Sequence, residues 1–471
     1  MLGILVAIVH GIGVVSAIHA VMYTRTEQGA IAWGLSLVSF PYIAVPAYWF
    51  LGRSRFEGYI TRRRFSEQRG EDLLAHTRER VERFRLTQKD LAPTLLAAER
   101  LADQPMLKGN AVDLLIDGDA TFDSILKGIE SAEEYILFQF FIVKNDRIGR
   151  RVKESLLVKA AAGVRIFFLY DEVGSHRLPK SYLNDLRAAG ISVSAFNTRK
   201  GPGNRFQLNF RNHRKVVVVD GKVTWIGGHN VGDEYLGGDP NFGHWRDTHV
   251  RIEGPSALGA QLSFLEDWHW ATDQLIELNW IPHGSQTEDS GVLILPTGPA
   301  DELESASLMF THAINDAQER VWIASPYFVP DQTVLHALQL AGLRGVDVRI
   351  LIPDMPDHYL VYLAAFSYLE NAGRTGVRFF RYTDGFLHQK VMLIDNRTAT
   401  IGTANFDNRS FRLNFEITAA ITNNPGFIDQ VEKMFLSDFT HSRPVPSNEL
   451  SGRPWWFRFA VQMARLTSPI Q

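Results

Sequence analysis

HRKVVVVDGKVTWIGGHN, residues 213–230, returns in outline as HQKVMLIDNRTATIGTAN, residues 388–405. Both stretches read His-x-Lys-x4-Asp-x6-Gly-x-x-Asn without a gap, 175 positions apart. One match of this kind is weak evidence, since a lone His-x-Lys usually closes a solvated strand. Two matches in the same register point to a duplicated unit. Each copy carries an apolar strand, 216–219 and 391–394. Period-two alternation sets His213 beside Lys215, and His388 beside Lys390, on one face of an extended segment. An imidazole next to an ammonium suits a phosphodiester. The imidazole can attack phosphorus or carry a proton near neutral pH, and the ammonium is a point charge for a phosphoryl oxygen. The glycines permit a tight turn, and Asn230 and Asn405 can donate side-chain N–H groups to phosphate. The candidate catalytic set is His213, Lys215, Asp220, His388, Lys390 and Asp395. The two aspartates are expected to hold their motifs rather than touch substrate.

The chain has 471 residues, room for two or three domains. Its net charge of −3 provides no global basic field, which argues against nucleic acid as a partner. It has no cysteine, so disulfides, thiolate metal sites and cysteine nucleophiles are excluded. His229 and His244 lie near the first motif without a carboxylate or imidazole at ligand spacing, and neither reads as a metal ligand.

The mean hydropathy of −0.09 averages two unlike regions. Residues 2–23 and 29–51 carry no Asp, Glu, Lys or Arg. Each is long enough to cross a hydrocarbon core of about 30 Å as a helix. They predict a transmembrane hairpin over 1–52, with Trp33, Tyr48 and Trp49 near span ends. His10 and His19 fall on roughly opposite helix faces and make no metal pair. A signal peptide fits poorly, because a basic start and a small-x-small cleavage site are missing. Beyond the second stretch come Arg53, Arg55, Arg62, Arg63, Arg64, Arg69, Arg78, Arg80, Arg83 and Arg85. The positive-inside rule places this flank, and the body after it, in the cytoplasm. Arg62 to Arg64 also suit anionic headgroups. Residues 53–106 read as a charged, solvated helical linker.

From residue 107 the pattern changes to alternating strands and helices. In the first half the sequence predicts a strand over 135–143, a helix over 149–162 and a strand over 163–170. In the second half the order repeats over 320–328, 331–343 and 345–352. Strand, helix, strand at this spacing predicts α/β units with largely parallel pairing. Domain bounds follow at 107–280 and 281–447, with a connector over 278–302 rich in Pro, Gly and Ser. Trp268, Trp270 and Trp280 read as core between the halves. The tail, 448–471, mixes aromatic, apolar and basic residues, and reads equally as an interfacial helix or a helix packed on the body.

The doubled motif is the signature of the phospholipase D superfamily, and across nearly the whole chain the sequence resembles bacterial cardiolipin synthases. The stretches that carry the likeness are the two motifs, the amino-terminal hairpin, Asp171-Glu-Val-Gly-Ser175, Asn209-Phe-Arg-Asn-His-Arg-Lys215, Trp245-Arg-Asp-Thr-His249 and Ser325-Pro-Tyr-Phe-Val-Pro330. One departure is visible. The early strand reads Phe138-Gln139-Phe140-Phe141, where the family leads one to expect an acid and tyrosines. The resemblance implies two similar α/β sandwich halves related by a pseudo-twofold, with the motif strands meeting between them. It implies that Asp247 and Glu416 orient the catalytic imidazoles, with Asp247 less securely matched because of the insert 237–243. It implies a phosphatidyltransferase of the bacterial inner membrane, multi-pass, with its body in the cytoplasm. Two phosphatidylglycerols would give cardiolipin and glycerol through a phosphatidyl-histidine on His213, with His388 as acid and base and no cofactor or metal. The rival readings are a membrane-bound phospholipase D that uses water, and a lipid-binding scaffold without turnover. Phosphatidylethanolamine as a donor and the oligomeric state stay open.

Overall fold

The structure is a computed structural model that describes residues 2–24, 26–52, 56, 58–60, 77, 79–87, 93–197, 209–446 and 448–471. The arginines from Arg53 to Arg78 lie outside the described residues, as does nearly half of the expected linker; Arg80, Arg83 and Arg85 lie inside.

The first half contributes β1 (Leu107–Ile116), β2 (Tyr135–Phe140), β3 (Arg165–Asp171), β4 (Ser192–Phe196), β5 (Arg211–Asn212), β6 (Val216–Val219), β7 (Val223–Gly227), β8 (Trp245–Arg246) and β9 (Thr248–Glu253). The second half contributes β10 (Ser290–Thr297), β11 (Arg320–Ala324), β12 (Phe328–Val329), β13 (Asp347–Pro353), β14 (Arg378–Tyr382), β15 (Phe386–Leu387), β16 (Val391–Ile394), β17 (Thr398–Gly402), β18 (Phe406–Asp407), β19 (Asn414–Thr422) and β20 (Ser442–Pro444). Both halves use the same strand order. It runs β4-β3-β2-β6-β7-β9 in one and β14-β13-β11-β16-β17-β19 in the other. β1 and β10 join them: β1 pairs with β9 over Ala111 to Ile116 and meets β10 at Leu107 and Asn110, with a register shift between.

The expectation of largely parallel pairing needs correction. β2, β3 and β4 are parallel, as are β11, β13 and β14, but the motif strands run antiparallel to their neighbours. The cause is local. Asp220 and Gly221 take φ of 53° and 66°, which closes β6 onto β7 in a tight turn rather than a helical crossover. The connector expected over 278–302 also hides β10. Its apolar run pairs with β19 and is buried, so the end of the connector is a central strand.

Alternation along the strands builds three cores. Val216 and Val218 face a core shared by both halves, while Val217 faces an outer core of the first half. Val391 and Leu393 face the shared core, while Met392 and Ile394 face an outer core of the second. Helices Ala257–Thr272 and Pro425–Thr440 fill the shared core, with Trp268 and Trp270 among their buried residues. Trp280 instead packs in a small cluster with Val81, Leu107 and Leu258. The helix Pro93–Ala102, expected to be solvated, buries Ala98 and Ala102 in the second outer core.

At the amino terminus α1 (Leu2–Tyr23) is a single helix, and Gly3–Tyr23 is the one described helix long and apolar enough to cross a membrane. The expected second span forms two helices, α2 (Glu27–Ser39) and α3 (Pro41–Leu51). Pro41 lacks an N–H and disfavours helical backbone at Phe40, which has φ −135° and ψ 58°. The pair folds back: the Trp33 and Tyr48 rings lie 5.3 Å apart, and a Cβ on Gly13 would meet Leu37 O at 2.4 Å. His19 bonds the Tyr48 hydroxyl at 2.7 Å and Trp49 Nε1 donates to Ser16 Oγ at 3.0 Å, so these residues tie the pair to α1. The multi-pass expectation therefore lacks an uninterrupted second helix.

Trp225 shows how tightly the outer core fits the sheet. A Cβ on Gly128 would come within 2.1 Å of its ring, whereas Gly373 has open space around it. Gly128→Val is expected to destabilise the body by about 1–3 kcal/mol through overpacking. Gly373→Ala should leave the denaturation midpoint unchanged. Equal midpoints for both variants would contradict this packing.

Candidate active site

Two short ladders cross between the halves and bring the motif histidines together. β5 pairs in parallel with the start of β19, and the ladder ends with His213 N donating to Phe415 O at 2.9 Å. β15 pairs in parallel with β8 and ends with His388 N donating to Arg246 O at 2.8 Å. Each ladder stops one residue short of an acid. The acid of one half thereby meets the imidazole of the other. His213 Nδ1 lies 2.9 and 3.1 Å from the Glu416 oxygens, and His388 Nδ1 lies 2.7 Å from Asp247 Oδ2. With Nδ1 donating to a carboxylate, Nε2 of each neutral ring keeps its lone pair.

The two acids are held differently. Glu416 is fully buried and also accepts from Thr403 Oγ1 at 2.6 Å, Ser410 Oγ at 2.9 Å and Asn414 Nδ2 at 3.1 Å. Burial opposes its charge, but His213, Lys215 and Thr403 hold its carboxyl below the usual range. Asp247 accepts from Thr248 N at 2.8 Å and lies against Gly228, where a Cβ would come within 2.0 Å of Oδ1. Burial pushes its carboxyl up despite His229 and Lys390 nearby. Thr403 stands at the position matching Gly228, so the residue after the motif glycine is a space requirement in one half and a hydrogen-bond donor in the other.

Burial dominates the bases. It lowers His213 to about 4, Lys215 to about 7 and Lys390 to about 8, and it holds His388 well below the usual imidazole range. Lys215 and Lys390 each also depress His388, and Lys390 depresses Lys215, so the four groups share one space. Both lysines turn back on their own motif: Lys215 Nζ donates to His213 O at 2.7 Å and Lys390 Nζ to His388 O. Phe141 lies 5.1 Å from the His213 ring, and Trp245 and Phe386 lie 5.2 and 6.1 Å from His388. The site thus has two neutral imidazoles and two weakened ammoniums between apolar walls, a setting that an anionic phosphodiester completes.

The other expected residues have partners of their own. Asp220 accepts the backbone N–H groups of Glu133, Glu134 and Tyr135, and Asp395 those of Gln318, Glu319 and Arg320. Each ties its motif turn to the start of the neighbouring strand. Asn230 accepts from Ile142 N at 3.0 Å and donates to the Tyr235 hydroxyl at 2.9 Å. Asn405 Oδ1 is buried without a partner. His229 Nδ1 lies 3.0 Å from His249 Nδ1, and His244 Nε2 lies 2.9 Å from Asp117.

Sequence reading missed the buried ion pairs beneath the imidazoles. Arg214 binds Asp267 at 2.9 Å and donates to Glu416 O at 3.0 Å. Asp267 also accepts from Gln139, Asn212 and Tyr59. Across the halves, Arg246 binds both Asp438 oxygens, at 2.7 and 3.0 Å, and Gln389 joins them. Arg214 and Gln389 directly follow the motif histidines, which was an available signal; Asp267 and Asp438 lie inside helices with none. The amide of Gln139, where an acid was expected, donates to Asp267; an ionised acid there would face another carboxylate.

The profile of a family described as "Cardiolipin synthase, PLD-like domain" matches residues 125–252 and 310–439. The chain is 50% identical over 473 aligned positions to "Cardiolipin synthase A" of Pseudomonas putida (strain W619), covering 99% of this chain and 98% of that protein. It is 49% identical to "Cardiolipin synthase A" of Pseudomonas fluorescens (strain SBW25), covering 100% and 98%. Among solved structures it resembles phosphatidylserine synthase of Haemophilus influenzae Rd KW20, with a TM-score of 0.59, 17% identity, and coverage of 81% of this chain and 100% of that one. The last likeness concerns the fold.

Two outcomes follow from this geometry. Asp247→Asn and Glu416→Gln should each lower kcat by roughly 10²–10⁴ with the denaturation midpoint little changed. Asp220→Asn should do the reverse, costing stability before turnover. The second outcome concerns pH. Burial lowers both lysine pKa values, so the empty site loses its ammoniums as pH rises through about 7 and 8. A bound anion favours the charged lysines, so kcat/KM should fall about tenfold per unit between those values and about a hundredfold per unit above both. The His213 lone pair, protonated only near 4, should give no acid limb above about pH 5. A flat profile to pH 9 would contradict the assignment.

Proposed function

Because the chain belongs to the phospholipase D-like cardiolipin synthase family, a family of phosphatidyltransferases, we propose how this site divides the reaction between its two dyads. His213 Nε2 attacks the phosphorus of one phosphatidylglycerol. The bond from phosphorus to the headgroup glycerol oxygen breaks, and His388 gives that oxygen its proton. Glycerol leaves, and the phosphatidyl group stays on His213. A hydroxyl of a second phosphatidylglycerol then attacks. His388 takes its proton, the phosphorus–nitrogen bond breaks, and cardiolipin leaves. Two phosphatidylglycerols thus give one cardiolipin and one glycerol.

The observation that carries this division is that each imidazole has its own carboxylate, and that the two carboxylates differ. Glu416 is held ionised by several donors and fixes the His213 tautomer with its proton on Nδ1, while burial keeps the ring a neutral nucleophile. Asp247 is pushed up by burial, so the His388–Asp247 unit takes up a proton more readily, as an acid and base must. The anionic substrate offsets the burial and the lysine charges that keep His388 neutral in the empty site. Lys215 and Lys390 stabilise charge on the phosphoryl oxygens. Asn230 and Asn405 are further phosphate donors in this reading, Asn230 once it releases the Tyr235 hydroxyl.

The enzyme is membrane-associated, with α1 as the apolar segment long enough to cross. We infer that the body faces the cytoplasm, from the arginine-rich flank that follows residue 52.

Purified protein given labelled phosphatidylglycerol alone should release glycerol and form cardiolipin, with or without excess EDTA. His213→Ala and His388→Ala should each abolish turnover, and acid-quenched enzyme should carry lipid on His213. Phosphatidic acid as the main product would make the enzyme a hydrolase, and label only on His388 would reverse the roles.

A further inference from the structure

The carboxy-terminal helix Trp455–Arg465 has three faces, as its residues turn by about 100° each. Val461 and Ala464 are buried, and Phe457 packs edge-on against Phe366 of helix Tyr359–Gly373 at 5.3 Å. Away from that contact, Trp455, Trp456, Phe459 and Met463 are 73%, 58%, 60% and 50% exposed on one arc. Arg458 and Arg465 line the edge between the two faces, and Arg453 precedes the helix. From Leu450 to Gln471 there is no Asp or Glu. A soluble surface rarely leaves four large apolar side chains together along one arc of a short helix.

Two connections place this arc. Leu51 O, at the end of α3, accepts from Asn209 Nδ2 at 2.8 Å; Asn209 O accepts from Arg409 Nη2 at 2.6 Å; Arg409 N donates to Gln471 O at 2.6 Å. The exit of the membrane anchor, the segment leading into His213 and the segment after the carboxy-terminal helix therefore meet at one face. The second connection is aromatic. Rings of Tyr359, Tyr362, Phe366, Phe457 and Trp456 follow one another at 6.2, 5.2, 5.3 and 5.9 Å. Tyr359 and Leu360 are exposed at the head of that series, 65% and 50%. The neighbouring Asp357 and His358 are near enough to the site for their charges to act on Lys390 and His388.

We propose that this arc is a second membrane contact. The carboxy-terminal helix lies in the interface of an anionic bilayer, its aromatic face among the acyl chains and its arginines at the phosphates. It seats the body on the leaflet beside the anchor, so that lipid reaches the catalytic histidines without leaving the interface. The proposal rests on the membrane-bound reading, and the test separates the two.

The absence of cysteine makes the test direct. Phe459→Cys, Val15→Cys in α1 and Val158→Cys on the opposite outer helix each give one labelling site for an environment-sensitive fluorophore. The full chain is reconstituted into phosphatidylglycerol nanodiscs holding one copy, with or without lipid bearing a nitroxide at acyl carbon 5. The label at 459 should be quenched several-fold more than at 158, and comparably to 15. Arg453, Arg458 and Arg465 changed together to Gln should reduce quenching at 459 by at least half. Quenching at 15 with a water-exposed label at 459 would overturn the proposal and leave the anchor standing. Quenching at neither would remove both. Shielding of 459 only in discs with two copies would assign the arc to a second chain instead.

Discussion

The site depends on where two short ladders end. β5 runs beside the start of β19, and β15 runs beside β8, for two residues each. Beyond the last pair, the backbone N–H of each motif histidine is bonded to the carbonyl just before an acid. That register sets the distance from Nδ1 to carboxylate at hydrogen-bond length in both dyads. Neither half can assemble a dyad alone, because the imidazole comes from one and the acid from the other. Duplication of the motif is therefore a requirement of the geometry.

Such a site is costly to assemble empty. Two lysines, two histidines and two acids sit where burial works against charge. Pairing offsets part of that cost, and the Arg214–Asp267 and Arg246–Asp438 pairs hold the backbone that carries the dyads. Breaking either pair would strand a buried charge beneath a motif histidine. With both imidazoles neutral, two ammoniums stand against two carboxylates, and burial weakens the ammoniums. A phosphodiester, bearing one negative charge and two non-bridging oxygens, restores the lysines and lets an imidazolium form.

Much of this was legible in the sequence. The doubled motif gave the two halves, and the apolar runs at 216–219 and 391–394 became strands with those bounds. Asp247 and Glu416 were found through resemblance, but nothing in their spacing says which histidine each one serves; the exchange depends on pairing between residues 203 and 141 positions apart. Asp267 and Asp438 were illegible for the same reason, since a buried acid inside a helix reads like any solvated one. The antiparallel motif hairpins were misread because strand, helix, strand repeats dominate the pattern around them. The second apolar stretch of the anchor met every length criterion, yet Pro41 divides it, and Pro41 was visible from the start. Helix Pro93–Ala102 was read as solvated because its charged neighbours masked two alanines on one face.

The exchange of acids between halves is the central claim, and a leaving group that needs no proton tests it. A p-nitrophenyl phosphatidyl ester can load the nucleophile without help from the general acid. His388→Ala and Asp247→Asn should each release about one equivalent of p-nitrophenol in a burst and then stall, since deacylation still needs the base. His213→Ala and Glu416→Gln should give no burst. If instead Asp247→Asn behaves like His213→Ala, and Glu416→Gln like His388→Ala, each acid serves the histidine of its own half and the account is wrong.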